Sequence, residues 1–387
     1  MTNLKKSNLG SLLLISALTP ALAGGDAGGL HCQIGGFDSP ENATGLALSG
    51  GYLYVTSGAV IRIFDVADPA MPTLIGEYPG LQLAWDIEVV GDFAYVLDYS
   101  EGLLTLDVSD PTMPVLVDAY DIVDGAVYDG LATDGATLAI AAGSDGTLFL
   151  DLADPAKPVL ANQFFRPGAY PISVWMFNGL VFTESWSGGI GIFEASDPYS
   201  PQLVLPAYTS LDDIAVVGDT LYGLPSFGYN DRVWISDLTD PTDPVQISMT
   251  NSPWGSIVGS QIVVDNNRMY YTVNSGDVVF ELDVTDPADP QFVRTFPFDG
   301  FVFDMIVDGD YLFIAGDEPD IVVIDLSENC TDCIADLTSD GSADIFDVFA
   351  FLDGYLAKDP ASDFTRDGYF DINDVFYFLE LFNAGCP

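Results

Sequence analysis

From about residue 43 to residue 326 the chain alternates short apolar runs with breaks rich in Gly, Asp and Pro, and no stretch of that span holds apolar residues at helical spacing. The runs recur in a fixed order. A hairpin pattern comes first, an apolar run, then Gly-Asp or a relative, then an aromatic-rich run. Val89-Val90-Gly91-Asp92-Phe93-Ala94-Tyr95-Val96, Val216-Val217-Gly218-Asp219-Thr220-Leu221-Tyr222 and Ile306-Val307-Asp308-Gly309-Asp310-Tyr311-Leu312-Phe313 are examples. A second β-type run follows, such as Ile61-Arg62-Ile63-Phe64-Asp65-Val66 or Leu103-Leu104-Thr105-Leu106-Asp107-Val108. The turn Asp-Pro-x-x-Pro closes it, beginning at Asp68, Asp110, Asp154, Asp197, Asp240 and Asp286, with intervals of 42, 44, 43, 43 and 46 residues. A seventh run, Ile321-Val322-Val323-Ile324-Asp325-Leu326, lacks only the turn.

A repeat of about forty residues with several short strands and no helix predicts a propeller blade of four antiparallel strands. Seven units predict a seven-bladed ring. The Asp of each turn can accept hydrogen bonds from its own loop and Pro pre-sets the bend, so these residues read as structural. An outer strand such as Thr73-Leu74-Ile75-Gly76-Glu77-Tyr78 follows each turn. The seventh unit has none, but His31-Cys32-Gln33-Ile34-Gly35-Gly36-Phe37 repeats its pattern, so the N-terminal strand is expected to complete the last blade and leave no free sheet edge.

The copies Asp92-Phe93-Ala94-Tyr95-Val96 and Leu106-Asp107-Val108-Ser109-Asp110-Pro111 resemble the LVIVD repeat family over about residues 30 to 327. That resemblance implies a propeller and supplies no substrate.

After Ser327 the texture changes. Two segments read Asp336, Thr338, Asp340, Gly341, Ser342, Asp344, Asp347 and Asp363, Thr365, Asp367, Gly368, Tyr369, Asp371, Asp374. Calcium takes about seven oxygens from loop positions one, three, five, seven (through the backbone carbonyl), nine and twelve, with Gly at six for the sharp turn. Both segments fill every position, so two calcium ions are expected. Each loop feeds one predicted helix, 346–356 and 375–382. The duplicated loop-helix unit, with starts 27 residues apart, resembles the dockerin domain over residues 330 to 387. The fold class is thus an all-β seven-bladed β-propeller plus a small α-helical calcium-binding dockerin-like domain. The resemblance implies folding on calcium and docking onto a cohesin-like or cell-surface partner. Positions ten and eleven of cellulosomal dockerins are often small hydroxyl residues, and Ile345-Phe346 and Ile372-Asn373 depart from that. Phe349, Phe351, Leu352, Phe376, Phe378 and Leu379 are either the core of this module or a binding face.

Composition sharpens the picture. There are 58 acidic and 10 basic side chains, a net charge of −48, with 49% hydrophobic residues. Such a chain is globular rather than a disordered acidic tail. It cannot build a basic stripe, which excludes nucleic acid, and an anionic surface repels anionic lipid. Lys5 and Lys6, the apolar run 12–18 and Ala21-Leu22-Ala23 predict a signal peptide over residues 1–23, hence a secreted or cell-surface protein without membrane insertion. Cys32, Cys330, Cys333 and Cys386 would then lie in an oxidising compartment, and two disulfides are expected. Because the termini of dockerin-like folds meet, the resemblance implies Cys333 with Cys386 and leaves Cys32 with Cys330. Exchange of Cys330 and Cys333 is the alternative.

The only histidine is His31, so His-dependent catalysis and the usual zinc sites have no basis. Aligning the blades on their hairpin glycines puts Asp86, Asp213 and Asp304 at one position before the inner strand, with Gln261 in the sixth blade. Asp98, Tyr99, Glu101, Asp145, Glu184, Trp186, Tyr229 and Asp317 adjoin them. Such carboxylates and aromatics could hold a cation, stack a sugar, or form a solvated acidic rim. The expected function is non-enzymatic binding: the propeller presents a recognition face to a protein or glycan and the calcium module attaches it to a surface or scaffold. The alternative is a carbohydrate-active enzyme using two of the face carboxylates.

Overall fold

The computed structural model describes residues 33–37, 42–122, 130–166, 170–185, 189–206, 208–225, 232–251, 261–272, 278–298, 300–316, 321–327 and 345–358, with isolated positions at 337, 362, 372, 375, 378, 379 and 382. Its strands form seven four-stranded antiparallel sheets. The inner strands, in chain order, are Ala43–Ser49, Ala84–Val90, Leu131–Thr133, Pro171–Phe177, Leu211–Val217, Ile262–Asp265 and Val302–Asp308. Each sheet runs outward in sequence order, with one exception. In the seventh, Gln33–Phe37 pairs with Ile321–Asp325, Phe37 standing opposite Ile321. The chain's two propeller ends thus share one sheet, and Ile34 packs into the seam between the last blade and the first.

The core is divided among the seams. Seven hydrophobic clusters occur among the described residues, and each joins residues of two neighbouring blades. Alternation along a strand explains this. Leu53 and Val55 enter the seam with blade seven, while Tyr54 between them enters the seam with blade two. Both faces of each sheet are buried, so the middle strands read as continuous apolar runs rather than as apolar-polar alternation. The Asp-Pro turns behave as expected: the six Asp side chains accept the N–H two residues on.

Beyond the propeller, α1 (Ile345–Ala357) begins one residue earlier and ends one later than its apolar spacing predicts. It stops at Lys358, which takes the left-handed conformation (φ 57°) common just past a helix end.

Candidate functional site

Asp86, Asp213 and Asp304 do occupy one equivalent position, each at a bulge near the start of its inner strand. Bulges re-aim side chains, and here the carboxylate points across a seam. One oxygen of each accepts the next residue's N–H, from Ile87, Ile214 and Met305, at 2.8 Å. The other accepts an N–H from the following blade, from Leu131, Ile262 and Leu46, also at 2.8 Å. Trp175 of the fourth blade adds an indole N–H to Asp213 at 2.8 Å. In all three acids one oxygen therefore holds its own strand and the other brackets the next blade.

The same position holds Gly45, Gly130, Ser173 and Gln261 in the other blades. The two glycines mark seams of another kind. A Cβ at Gly45 would lie 3.0 Å from the Trp85 carbonyl oxygen, and one at Gly130 2.6 Å from the Val174 nitrogen. Adjacent inner strands approach too closely there for a side chain.

The adjoining candidates divide. Asp98 is fully buried and accepts the N–H groups of Gln82, Leu83, Ser100 and Glu101. Burial pushes its carboxyl up, but those four donors together hold it below the usual carboxylate value. It ties two loops together. Glu184 is buried opposite Ser173, where most other blades carry an apolar residue. Tyr99 and Glu101 are exposed and Asp145 lies in a short 3-10 turn. Trp186, Tyr229 and Asp317 lie outside the described residues.

Glu88 was not singled out by sequence, although it stands two residues beyond Asp86 and so on the same side of the strand. Burial, then repulsion from Asp86 and Asp304, pushes its carboxyl well above the usual range. Burial and Asp86 also push Asp304 up, to about 8, against the Leu46 and Met305 N–H groups that favour its ionised form. Glu88 and Asp304 thus hold a proton more tightly than free carboxyls do.

A cavity of about 370 Å³ opens at the seam of blades six and seven. Arg268 and Arg294 line it, both paired with the buried Glu281 between them. Arg294 also lies 4.8 Å from the Phe296 ring centre and donates to the Leu326 carbonyl at 2.8 Å, where the chain leaves the propeller. Arg294 thus helps hold that exit, while Arg268 pairs with Glu281 and Asp283.

In the C-terminal segment the calcium-ligand positions lie outside the described residues, except Asp347. Position twelve of the first loop, it sits in the first turn of α1 and is fully buried. A carboxylate so placed demands charge compensation, which fits a calcium ligand. Among the described residues no three acids cluster at ligating distance. All four cysteines lie outside the described residues.

The six apolar positions of this segment separate. Phe351 and Phe378 are buried and stack face to face, with centroids 4.2 Å apart. Phe349, Leu352 and Leu379 are exposed, as are Ile345, Phe346 and Leu356. Phe376 is outside the described residues. Positions 345, 349, 352 and 356 follow helical spacing, so α1 carries its apolar residues on two faces, one packed and one open.

Comparison with known proteins supports the architecture. The family profile of the LVIVD repeat matches residues 40–79, 83–122 and 299–331, which are blades one, two and seven. No curated protein is significantly similar in sequence. Among solved structures, U3-55K shares 10% identity with a TM-score of 0.61 over 78% of this chain and all of that one. Sqt1 of Saccharomyces cerevisiae shares 13% identity, TM-score 0.57, over 76% and 99% of the two chains. BamB of Moraxella catarrhalis shares 14%, TM-score 0.52, over 74% and 84%. At such identities the likeness concerns fold alone. The chain therefore carries LVIVD repeats, built into a seven-bladed propeller.

Proposed function

We propose that this is a secreted binding protein in which the propeller is a rigid recognition scaffold and the C-terminal segment, a dockerin-like module holding two calcium ions, docks it to a surface or scaffold partner. The observation that carries the reading is the two-faced helix α1. Its buried face stacks Phe351 on Phe378, and its open face presents Phe346, Phe349, Leu352 and Leu356. Small soluble units rarely leave such an apolar stripe uncovered unless another protein covers it. Filled calcium loops ahead of both helical segments supply the staple that so small a unit needs.

The enzyme alternative draws no support from Asp86, Asp213 and Asp304, whose oxygens all accept backbone N–H groups. A nucleophile or general acid needs a carboxyl oxygen facing substrate.

Calorimetric titration of the metal-stripped full chain should give two calcium ions per chain, and Asp340→Ala with Asp367→Ala should abolish the binding. Capture of surface proteins from the source organism should need calcium and be lost in Phe349→Asp. Titration showing no calcium uptake would end the reading, as would capture indifferent to both metal and Phe349.

A further inference from the structure

Six blades carry an uncharged residue in the third strand opposite the middle of the second: Ile63, Thr105, Phe149, Ile192, Ile235 and Val323. Blade six carries Glu281 there, opposite Tyr270 on one side and Arg294 on the other. Two residues along, Arg268 stands opposite Asp283 and so on the same face of the sheet. That face meets blade seven, the one blade without an Asp-Pro turn. In other seams a proline carbonyl of that turn engages the preceding blade. Pro155 accepts the Tyr95 hydroxyl at 2.9 Å, and Pro287 accepts the Ser248 hydroxyl at 2.7 Å. Tyr270, the counterpart of Tyr95, instead lines the cavity of about 370 Å³.

Tyr270 is only 3% exposed, and its hydroxyl makes no hydrogen bond among the described residues. Burial and then Glu281 push that hydroxyl up, against Arg294 and Arg268, so it stays an O–H donor. Arg294 donates to Glu281 at 2.5 Å and to the Leu326 carbonyl. Arg268 instead lies 3.7 Å from Glu281 and 3.4 Å from Asp283, with no hydrogen bond among the described residues and its side chain 31% exposed. An arginine held by ion pairs alone keeps its N–H fork open to a carboxylate. Negative groups stand beside it. Asp265 faces Arg268 across the Asn266-Asn267 turn, and Asp310 lies in the Gly309-Asp310 turn of blade seven. With Glu281 matched by Arg294, the lining sets Arg268 against Asp265 and Asp310, and Val293, Val307 and Leu326 form an apolar wall.

We propose that this cavity binds a small zwitterion with an apolar side chain, an amino acid such as leucine or valine. Arg268 and the Tyr270 hydroxyl donate to its carboxylate, Asp265 and Asp310 accept from its ammonium, and the apolar wall covers its side chain. A ligand with a carboxylate alone meets Asp265 and Asp310, and one with an amine alone meets Arg268. Either leaves a charge of the cavity without its counterpart, which costs affinity. Pockets for small ligands begin at about 300 Å³, so the space suffices for one such molecule. The site lies wholly within the propeller, and its test is separate from that of the calcium module.

Calorimetric titration of the full chain with leucine should show one molecule bound per chain. Isocaproate, which lacks the ammonium, and isoamylamine, which lacks the carboxylate, should each bind at least about tenfold more weakly. Arg268→Gln leaves Glu281 its bond from Arg294 and should weaken leucine binding about a hundredfold. Tyr270→Phe removes only the hydroxyl oxygen and should weaken it about tenfold. Asp310→Asn, in an exposed turn, should weaken leucine while leaving isocaproate no weaker than before. Arg62→Gln, which breaks the Arg62–Glu77 pair of blade one, should bind leucine as the wild type does. The wild-type titrations depend on no variant folding. No uptake of leucine or valine at about 10 mM, either analogue binding as tightly as leucine, or leucine binding indifferent to both Arg268→Gln and Tyr270→Phe would overturn the proposal.

Discussion

The Asp304 carboxylate accepts the backbone N–H of Leu46 at 2.8 Å, across 258 residues of sequence. The seam so bridged is where the ring closes, and Gln33–Phe37 seals its outer edge by pairing with Ile321–Asp325. The last blade is thus held to the first from its inner strand and completed at its outer one. Closing so long a loop costs only slightly more entropy than closing a short one.

The equivalent bracket in the fifth blade also takes a side-chain donor, the Trp175 indole. Asp213→Ala leaves the Trp175 indole and the Ile214 and Ile262 backbone N–H groups without their acceptor. Loss of stability should reach about 3 kcal/mol, since donors left buried without a partner cost more than the bond itself. Denaturant unfolding followed by tryptophan fluorescence measures it.

Glycines in this chain serve two purposes that one pair of variants separates. A Cβ at Gly76 would lie 2.0 Å from the Pro111 carbonyl oxygen in the Asp-Pro turn of the next blade. Gly76→Ala should therefore cost more than about 2 kcal/mol, because backbone must move. Gly218, at φ 59° in a hairpin with nothing within 4 Å of a Cβ, should accept Asn for under about 1 kcal/mol.

In the C-terminal segment Phe351→Ala removes half of the stacked pair with Phe378. It should cost about 3–5 kcal/mol and unfold the module. Phe349→Ala, on the open face, should change its stability by under about 1 kcal/mol. Calcium-dependent far-ultraviolet circular dichroism of the full chain should show helix lost in the first variant and retained in the second.

Asp98 gives the acid limb of the pH profile. Four backbone donors hold its carboxyl below 3.8. Its contribution is therefore full above that value and lost as pH falls below it. Asp98→Ala should destabilise the propeller by about 2–4 kcal/mol near neutrality and by less near pH 3, as unfolding midpoints at the two conditions will show.

The blade pattern was legible because its causes are local. Hairpin glycines, Asp-Pro turns and apolar runs each act within a few residues, and seven repetitions made the ring and its closing strand evident. Residues 86, 213 and 304 could also be aligned from sequence, since register within a hairpin counts from its turn. Their use could not be read, because the cross-blade N–H groups they accept belong to strands 45 to 258 residues away, and only ring closure brings those within reach. Glu88 escaped notice because its raised proton affinity comes from burial, from Asp86 two residues away and from Asp304 on the strand of another blade. The composition of Phe346 to Leu356 likewise announces an apolar helix and leaves its orientation open. Whether a given Phe becomes core or open face depends on what packs against it, and there the tertiary structure decided, stacking Phe351 on Phe378 and leaving Phe349 exposed.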